Sequence, residues 1–296
     1  MTLYTQAESN IRKTWLYVSF FLILIIAVGW AFSYYMRSSA ILWLAVIFSV
    51  FMSFLSYWFS DRIVLAISKA KPIEKKDNPE LYRVVENLCI TAGLSLPKIY
   101  ILDEQQPNAF ATGRNPKHAV IAVTRGLLEK LDRAELEGVI AHEMSHIGNR
   151  DMLLQSMVVV LVGVIVIVAD FFFRISFFGG ARRRDRAQTF MLIVSLALAI
   201  LAPILAQLIK FAISRRREFL ADASGALLTR YPEGLARALE KISNDPNNLK
   251  ASSDATNHLY IASPFRGRES ISWFHKLFMT HPPIEERIKA LRELKV

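Results

Sequence analysis

The sequence is poor in cysteine. Cys89 is the single cysteine among 296 residues, so an intrachain disulfide is excluded and no oxidising compartment is required. It falls in the apolar row of a predicted helix and is expected in the core. A phosphate-binding loop of the Walker type is also missing, as are internal repeats. Any hydrolase in this chain therefore works without an intrinsic ATPase.

Charge is missing from four long segments, which are 14–36, 38–60, 152–169 and 187–209. Each exceeds the roughly 17 residues that cross a bilayer core. The chain is 53% hydrophobic, and buried helices of a large soluble enzyme, the alternative, fit runs of this length poorly. The sequence therefore predicts an integral membrane protein with four apolar helices and the lipid bilayer as a partner.

Acidic residues are fewer than basic ones, 26 against 36, and the formal net charge is +10. The basic residues cluster beside apolar segments, and no nucleic-acid motif accompanies them, which favours membrane topology over nucleic-acid binding. Basic residues that flank membrane segments lie mainly on the cytoplasmic side, which is the positive-inside rule. By this rule, Arg12, Lys13 and the basic stretch after residue 61 predict that the polar stretches face the cytoplasm. Five arginines between the third and fourth segments violate this rule: Arg174, Arg182, Arg183, Arg184 and Arg186. The second hairpin either crosses with them or dips into the membrane and returns.

These segments divide the chain into four parts. Residues 1–60 are predicted as a transmembrane hairpin, and 152–213 as a second membrane hairpin. Residues 61–151 and 214–296 are polar and together long enough for one compact domain. The sequence therefore predicts one domain interrupted by a hairpin.

The polar stretches predict an α+β domain that is mainly helical. Apolar spacing indicates a helix at 79–92, and alternation indicates strands at 98–102, 109–112 and 118–123. A turn composition at 113–116 joins the last two, so we expect a small antiparallel sheet.

Further helices are expected on either side of the second hairpin. Asp132 and Glu135 form a capping pattern for a long helix toward Asn149. Segments 214–230 and 232–243 look helical, and 244–267 is rich in loop-forming residues.

The long helix contains His142-Glu143-Met144-Ser145-His146. Histidines four residues apart project from one helix face toward a single ion, and Glu143 can approach a water on that ion. Zinc lowers the pKa of such a water to about 7, which suits peptide hydrolysis. The alternative is a surface helix with two unrelated histidines.

A third ligand is expected at Glu218, because catalytic zinc takes three protein ligands and keeps an open position. Asp222 lies one helical turn later and could orient a ligating histidine. His146 nearly abuts the third apolar segment and Glu218 closely follows the fourth, so a hairpin would return the chain to the side it left. The metal would then lie near the membrane surface.

Taken together, these residues resemble the M48 zinc metallopeptidases, and most closely the HtpX-type bacterial heat-shock proteases. The resemblance rests on four stretches: His142 to His146, Glu218 to Asp222, Asn108-Ala109-Phe110-Ala111 and Thr280-His281-Pro282-Pro283. It implies a gluzincin-like catalytic domain with one zinc ion, Glu143 as general base, Glu218 as third ligand and Asp222 as a supporting carboxylate. It also implies a multi-pass protein of the bacterial inner membrane that cleaves damaged or misfolded membrane proteins.

The resemblance assigns roles to four further residues. Asn108 and Ala109 would form an edge strand that pairs with an extended peptide. His281 would donate a hydrogen bond to the developing oxyanion, although a structural histidine before Pro282 is the alternative. Arg287 would support the site through a carboxylate, with an exposed arginine as the alternative.

Two other functions stay open at this point. One is the prenyl-protein peptidase branch of the same superfamily, for whose membrane chamber four apolar segments are few. The other is a membrane scaffold with a structural zinc site, against which Glu143 argues, since structural zinc requires no base. Two imidazoles and one carboxylate also accept other first-row divalent ions.

Overall fold

The computed structural model describes residues 3–178, 215–246, 259–261 and 282–294. Within these ranges the chain is mainly helical, with one four-stranded sheet. The elements are α1 (Leu3–Met36), α2 (Ser39–Ile67), β1 (Lys71–Pro72), α3 (Pro79–Ala92), β2 (Lys98–Leu102), β3 (Ala109–Gly113), β4 (Ala119–Thr124), α4 (Arg125–Lys130), α5 (Arg133–Gly148), α6 (Asp151–Phe178), α7 (Arg215–Thr229), α8 (Pro232–Asn244) and α9 (Ile284–Glu293).

Among the described residues, two helices are long and apolar enough to cross a membrane, α1 over Ala7–Met36 and α2 over its whole length. The third predicted segment forms the start of α6. The described part of the chain has a third span if α5 and α6, bent by 80° at their junction, are counted as one. We call α1 and α2 the membrane helices. The fourth predicted segment, 187–209, lies outside the described residues.

The sheet is mixed, so the expectation of a purely antiparallel sheet is wrong. Its strand order is β1-β2-β4-β3, with β2 and β4 parallel and the β1–β2 and β3–β4 pairs antiparallel. β3 and β4 do form the predicted hairpin, but β4 inserts between β2 and β3. The reason is a pairing between strands that are not neighbours in sequence: β4 pairs in parallel with all five residues of β2, which places β4 at the centre and leaves β3 at an edge.

The two faces of the sheet pack against different parts of the molecule. Ile121 and Val123 of β4 join the main core, formed with α3, α5 and α8. Val120 and Ala122 point to the other face, which packs against the end of α2 and against α6. The sheet therefore lies between helices α2 and α6 on one face and helices α3, α5 and α8 on the other. We call the sheet together with α3, α4, α5, α7, α8 and α9 the polar part.

Several local predictions are confirmed. Helix 79–92 and strand 98–102 form with those bounds, and α7 and α8 match the expected segments to within a residue. Asp132 and Glu135 make the reciprocal capping hydrogen bonds at the start of α5. Cys89 is buried in the core, where burial raises the pKa of its thiol to about 11. The predicted loop 244–267 lies mostly outside the described residues.

Two glycines let other helices approach α5 backbone to backbone. A Cβ atom at Gly225 of α7 would lie 2.9 Å from the His142 nitrogen, and one at Gly138 of α5 would lie 2.7 Å from the Leu235 nitrogen of α8. Contacts this short exclude any side chain larger than hydrogen. The close approach brings the first turns of α7 opposite the histidine motif.

We expect Gly225→Ala to lower the midpoint of thermal unfolding in detergent micelles, because the new methyl group overlaps backbone that has no room to move. Overpacking of this kind costs about 1–3 kcal/mol. Gly163→Ala in α6 is the matched control, since a Cβ there meets no atom of the described residues within 4 Å. Equal midpoints for the two variants would show that α5 and α7 are not in this close contact.

Candidate metal centre

His142 and His146 project from the same face of α5 into the interior. Their Nε2 atoms lie 3.1 Å apart. His142 is 1% exposed and His146 is 6% exposed. Burial lowers the pKa of His142, which favours the neutral imidazole that binds a metal. Two ring nitrogens that face each other at this distance can share one cation.

Glu218 completes this group from the first turn of α7. One of its carboxylate oxygens lies 3.8 Å from His142 Nε2 and the other lies 3.7 Å from His146 Nε2. One ligand atom from each of the three residues falls within 4.8 Å of the others. The structure thus brings together the three residues that the sequence predicts as metal ligands. Two histidines and a glutamate are a donor set found in catalytic zinc sites.

Glu143 lies beside this group and is 2% exposed. Burial, with a smaller contribution from the Glu218 carboxylate, raises the pKa of Glu143 to about 7. The main-chain N–H of Ala111 on β3 donates to its carboxylate. A carboxyl group that titrates near neutrality can both accept and return a proton, which is the property required of a general base.

A buried ion pair supports His142 from behind. The Nδ1 atom of His142 lies 2.9 Å from Asp222 Oδ1. This contact is close but does not have the alignment of a strong hydrogen bond. Arg287 of α9 donates to both oxygens of Asp222, at 2.8 and 2.7 Å. Although burial by itself raises the pKa of Asp222, the Arg287 guanidinium holds it below its ordinary value. Arg287 is fully buried, unlike an ordinary surface arginine, and its Nη1 lies 3.6 Å from Glu218.

A second carboxylate, not predicted from the sequence, supports His146. Asp151 Oδ2 lies 3.1 Å from His146 Nδ1, and its Oδ1 accepts a 2.6 Å hydrogen bond from the Asn10 amide of α1. Arg217 of α7 donates to Asn10 Oδ1 at 3.2 Å. Asn10, Asp151 and Arg217 are all buried. A membrane helix therefore contacts the outer side of the candidate metal centre.

Only part of this arrangement carries a sequence signal. Asp151 follows His146 by five residues and stands at the edge of an apolar segment, where a charged group is costly and calls for a partner. Arg150, with a φ of 57°, takes the left-handed conformation that turns the chain between α5 and α6. Asn10 is 141 residues from Asp151, and no pattern in a single sequence connects them.

Among the described residues, buried acidic side chains outnumber buried basic ones around the centre. The buried carboxyl groups belong to Glu143, Asp151, Glu218 and Asp222, and the buried guanidinium groups to Arg217 and Arg287. This excess of carboxyl groups makes the surroundings of the three ligands negative. Burial by itself lowers the pKa of His146, but the neighbouring Asp151 and Glu218 carboxylates raise it to about 9. The same negative field favours a metal ion between the three ligands, so the residues present fit one.

The predicted substrate-binding residues lie at the start of edge strand β3. The Asn108 carbonyl accepts a hydrogen bond from the Thr124 N–H, and the Ala109 carbonyl accepts one from the Ile261 N–H at 3.0 Å. Both carbonyls are thus used within the chain, and Ala111 is the strand residue that reaches Glu143. His281, the predicted oxyanion donor, lies outside the described residues.

We expect Asp151→Ala to weaken zinc affinity by roughly ten- to hundredfold, as loss of a carboxylate behind a ligating histidine does. Asn10→Ala should weaken it less, because Asp151 keeps its contact with His146. Competition with a chromophoric chelator measures both. Thr14→Val is the control, since the Thr14 hydroxyl donates its hydrogen bond within α1, to the Asn10 carbonyl. Unchanged affinity in Asp151→Ala would remove this carboxylate from the metal centre.

Comparison with known proteins identifies the family. A model of peptidase family M48 matches residues 75–295. Proteins named "Protease HtpX homolog" are 49% identical over 292 residues in Dictyoglomus thermophilum, covering 98% of this chain and 94% of theirs, and 45% identical over 302 residues in Caldanaerobacter subterraneus, covering 100% and 99%. A crystal structure of S. mikatae Ste24p aligns with 97% of this chain and 67% of its own, at 19% identity and a TM-score of 0.49. With a family match across the polar part and relatives along its whole length, this chain belongs to peptidase family M48 and is a membrane metalloprotease.

Proposed function

We propose that this protein is a zinc-dependent endopeptidase that cleaves damaged or misfolded membrane proteins in quality control. The observation that carries the proposal is the convergence of three buried ligand atoms with the Glu143 carboxylate beside them. The two apolar helices and the basic residues at their ends support a multi-pass protein of the bacterial inner membrane with its polar part in the cytoplasm.

In this proposal, His142, His146 and Glu218 would hold a zinc ion, which would supply Lewis-acid polarisation and lower the pKa of water at the site. The Glu143 carboxylate is placed to accept a proton and to return it to the leaving amine. Asp222 lies against Nδ1 of His142, and Asp151 lies against Nδ1 of His146. These two contacts restrain both imidazole rings. Burial keeps bulk water from these groups and so strengthens their electrostatic interactions.

The edge of β3 supports an extended substrate. A peptide that adds to an open strand edge is held by main-chain hydrogen bonds, which require an unfolded segment but read no particular side chain. Ala111 links this edge to Glu143, so a strand added here would pass the metal centre. Ile261 bonds the Ala109 carbonyl, and a peptide pairing at Ala109 would displace it, whereas both main-chain groups of Asn108 are bonded to Thr124. Selection by unfolded backbone suits a protease of damaged proteins.

We expect Glu143→Gln to lower proteolysis by about 10²- to 10⁴-fold while zinc remains bound, since the amide keeps the shape but cannot accept the proton. Cleavage of an unfolded membrane protein in detergent and the zinc content of each sample are measured together. Glu137→Gln is the matched control on the same helix, where Glu137 pairs with Arg133 at the surface.

Proteolysis that persists in zinc-loaded Glu143→Gln would refute the proposed mechanism. Bound zinc with no hydrolysis by the wild-type protein would instead favour a scaffold. Cleavage confined to prenylated peptides would favour the prenyl-protein peptidase alternative.

A further inference from the structure

A cavity of about 620 Å³ lies between the end of α2 and the face of the sheet that packs on this helix. The turn 113–118 between β3 and β4 forms one wall. On the other side of the same turn, a cavity of about 380 Å³ opens between α1 and α2. Arg114 and Lys117 line both cavities, and no lining residue of either belongs to the metal centre. We call the larger one the α2 cavity.

The α2 cavity is positively charged. Four of its lining side chains are cationic and one is acidic, namely Arg62, Lys98, Arg114, Lys117 and Asp61. Across the described part of the chain, none of the four cations forms an ion pair with a carboxylate. Three positive charges are therefore left over, and a concave surface of one sign concentrates ligands of the opposite sign.

Aromatic side chains place this cavity at the membrane surface. Trp58 is 42% exposed and carries the Arg114 guanidinium 4.7 Å from its ring centre. In the smaller cavity, Trp15 stacks on Tyr57. These aromatic residues stand at the start of the charge-free segment 14–36 and at the end of 38–60, positions at which tryptophan and tyrosine mark the headgroup level of a bilayer.

The remaining wall of the α2 cavity is apolar. Phe54, Leu65 and Leu96 contribute to it, and Leu96 is 47% exposed. A free phosphate ion would gain nothing from such a wall, whereas a phospholipid presents a phosphate beside hydrocarbon. The volume lies within the roughly 300–1,000 Å³ of ligand pockets.

We propose that the α2 cavity binds an anionic phospholipid, with the phosphate between Arg114 and Lys117 and the start of the acyl chains against Phe54 and Leu96. The bound lipid fixes the β3–β4 turn, and with it the sheet, against the bilayer surface. This site acts through binding alone and does not depend on proteolysis.

The test uses the full chain, purified in detergent and delipidated. Phosphatidylglycerol, phosphatidylcholine or inorganic phosphate is added, and bound lipid is counted by native mass spectrometry while the unfolding midpoint is recorded. Phosphatidylglycerol alone should bind and raise the midpoint, and 0.5 M salt should weaken it by screening. Arg114→Gln with Lys117→Gln should weaken binding roughly tenfold or more, since each charge near a membrane surface contributes about 1 kcal/mol.

A matched double variant controls for net charge. Arg133→Gln with Lys289→Gln also removes one arginine and one lysine, from helix surfaces where these side chains are 61% and 77% exposed. It should bind phosphatidylglycerol like the wild type, and Arg114→Lys should keep most of the affinity. Equal binding of phosphatidylcholine, or unchanged binding in the Arg114–Lys117 variant, would overturn the site. Equal protection by inorganic phosphate would show that the ligand is a free anion rather than a lipid.

Discussion

Buried charge is the constraint on which the polar part depends. Each ion taken from water costs several kcal/mol unless it is paired, and the centre holds four carboxylates and two guanidinium groups with almost no exposure. The partners come from distant parts of the chain: Asn10 from α1, Asp151 from α6, Glu218 from α7 and Arg287 from α9. None of these elements can leave without stranding a buried charge. The pairing therefore fixes how four helices meet around α5.

The packing brings these charges together. Glycine at positions 138 and 225 lets α7 and α8 touch the backbone of α5, so that the ligand on α7 reaches the histidines over a short distance. On the opposite side, β3 contributes the Ala111 N–H that contacts Glu143. The candidate centre thus lies between the edge strand and two helices, and the membrane helix α1 reaches it through Asn10. An edge strand here serves both the fold and the proposed path of the substrate.

The sequence predicts interactions that repeat within one helical turn. His142, His146 and the pair Glu218 and Asp222 have spacing that indicates shared helix faces, and the cap of α5 follows from two residues three apart. Interactions between distant segments are missing from these patterns. The contact of Asn10 with Asp151 and that of Ile261 with Ala109 join residues more than 100 positions apart. The mixed sheet depends on another interaction between separate segments, the parallel pairing of β2 with β4. The turn composition between β3 and β4 predicts only that these two strands are antiparallel.

The hydrogen bond between Asn10 and Asp151 connects the membrane helix α1 to the candidate metal centre. A soluble fragment that begins after α2 would remove the amide that bonds both Asp151 and the Asn149 carbonyl. Water would then enter behind His146, and the Asp151 carboxylate would be free to turn toward it. In a bilayer, a helix that tilts to match the thickness of its membrane would carry Asn10 with it. A single side-chain amide thus connects the lipid-facing helix to the carboxylate behind His146, a candidate metal ligand.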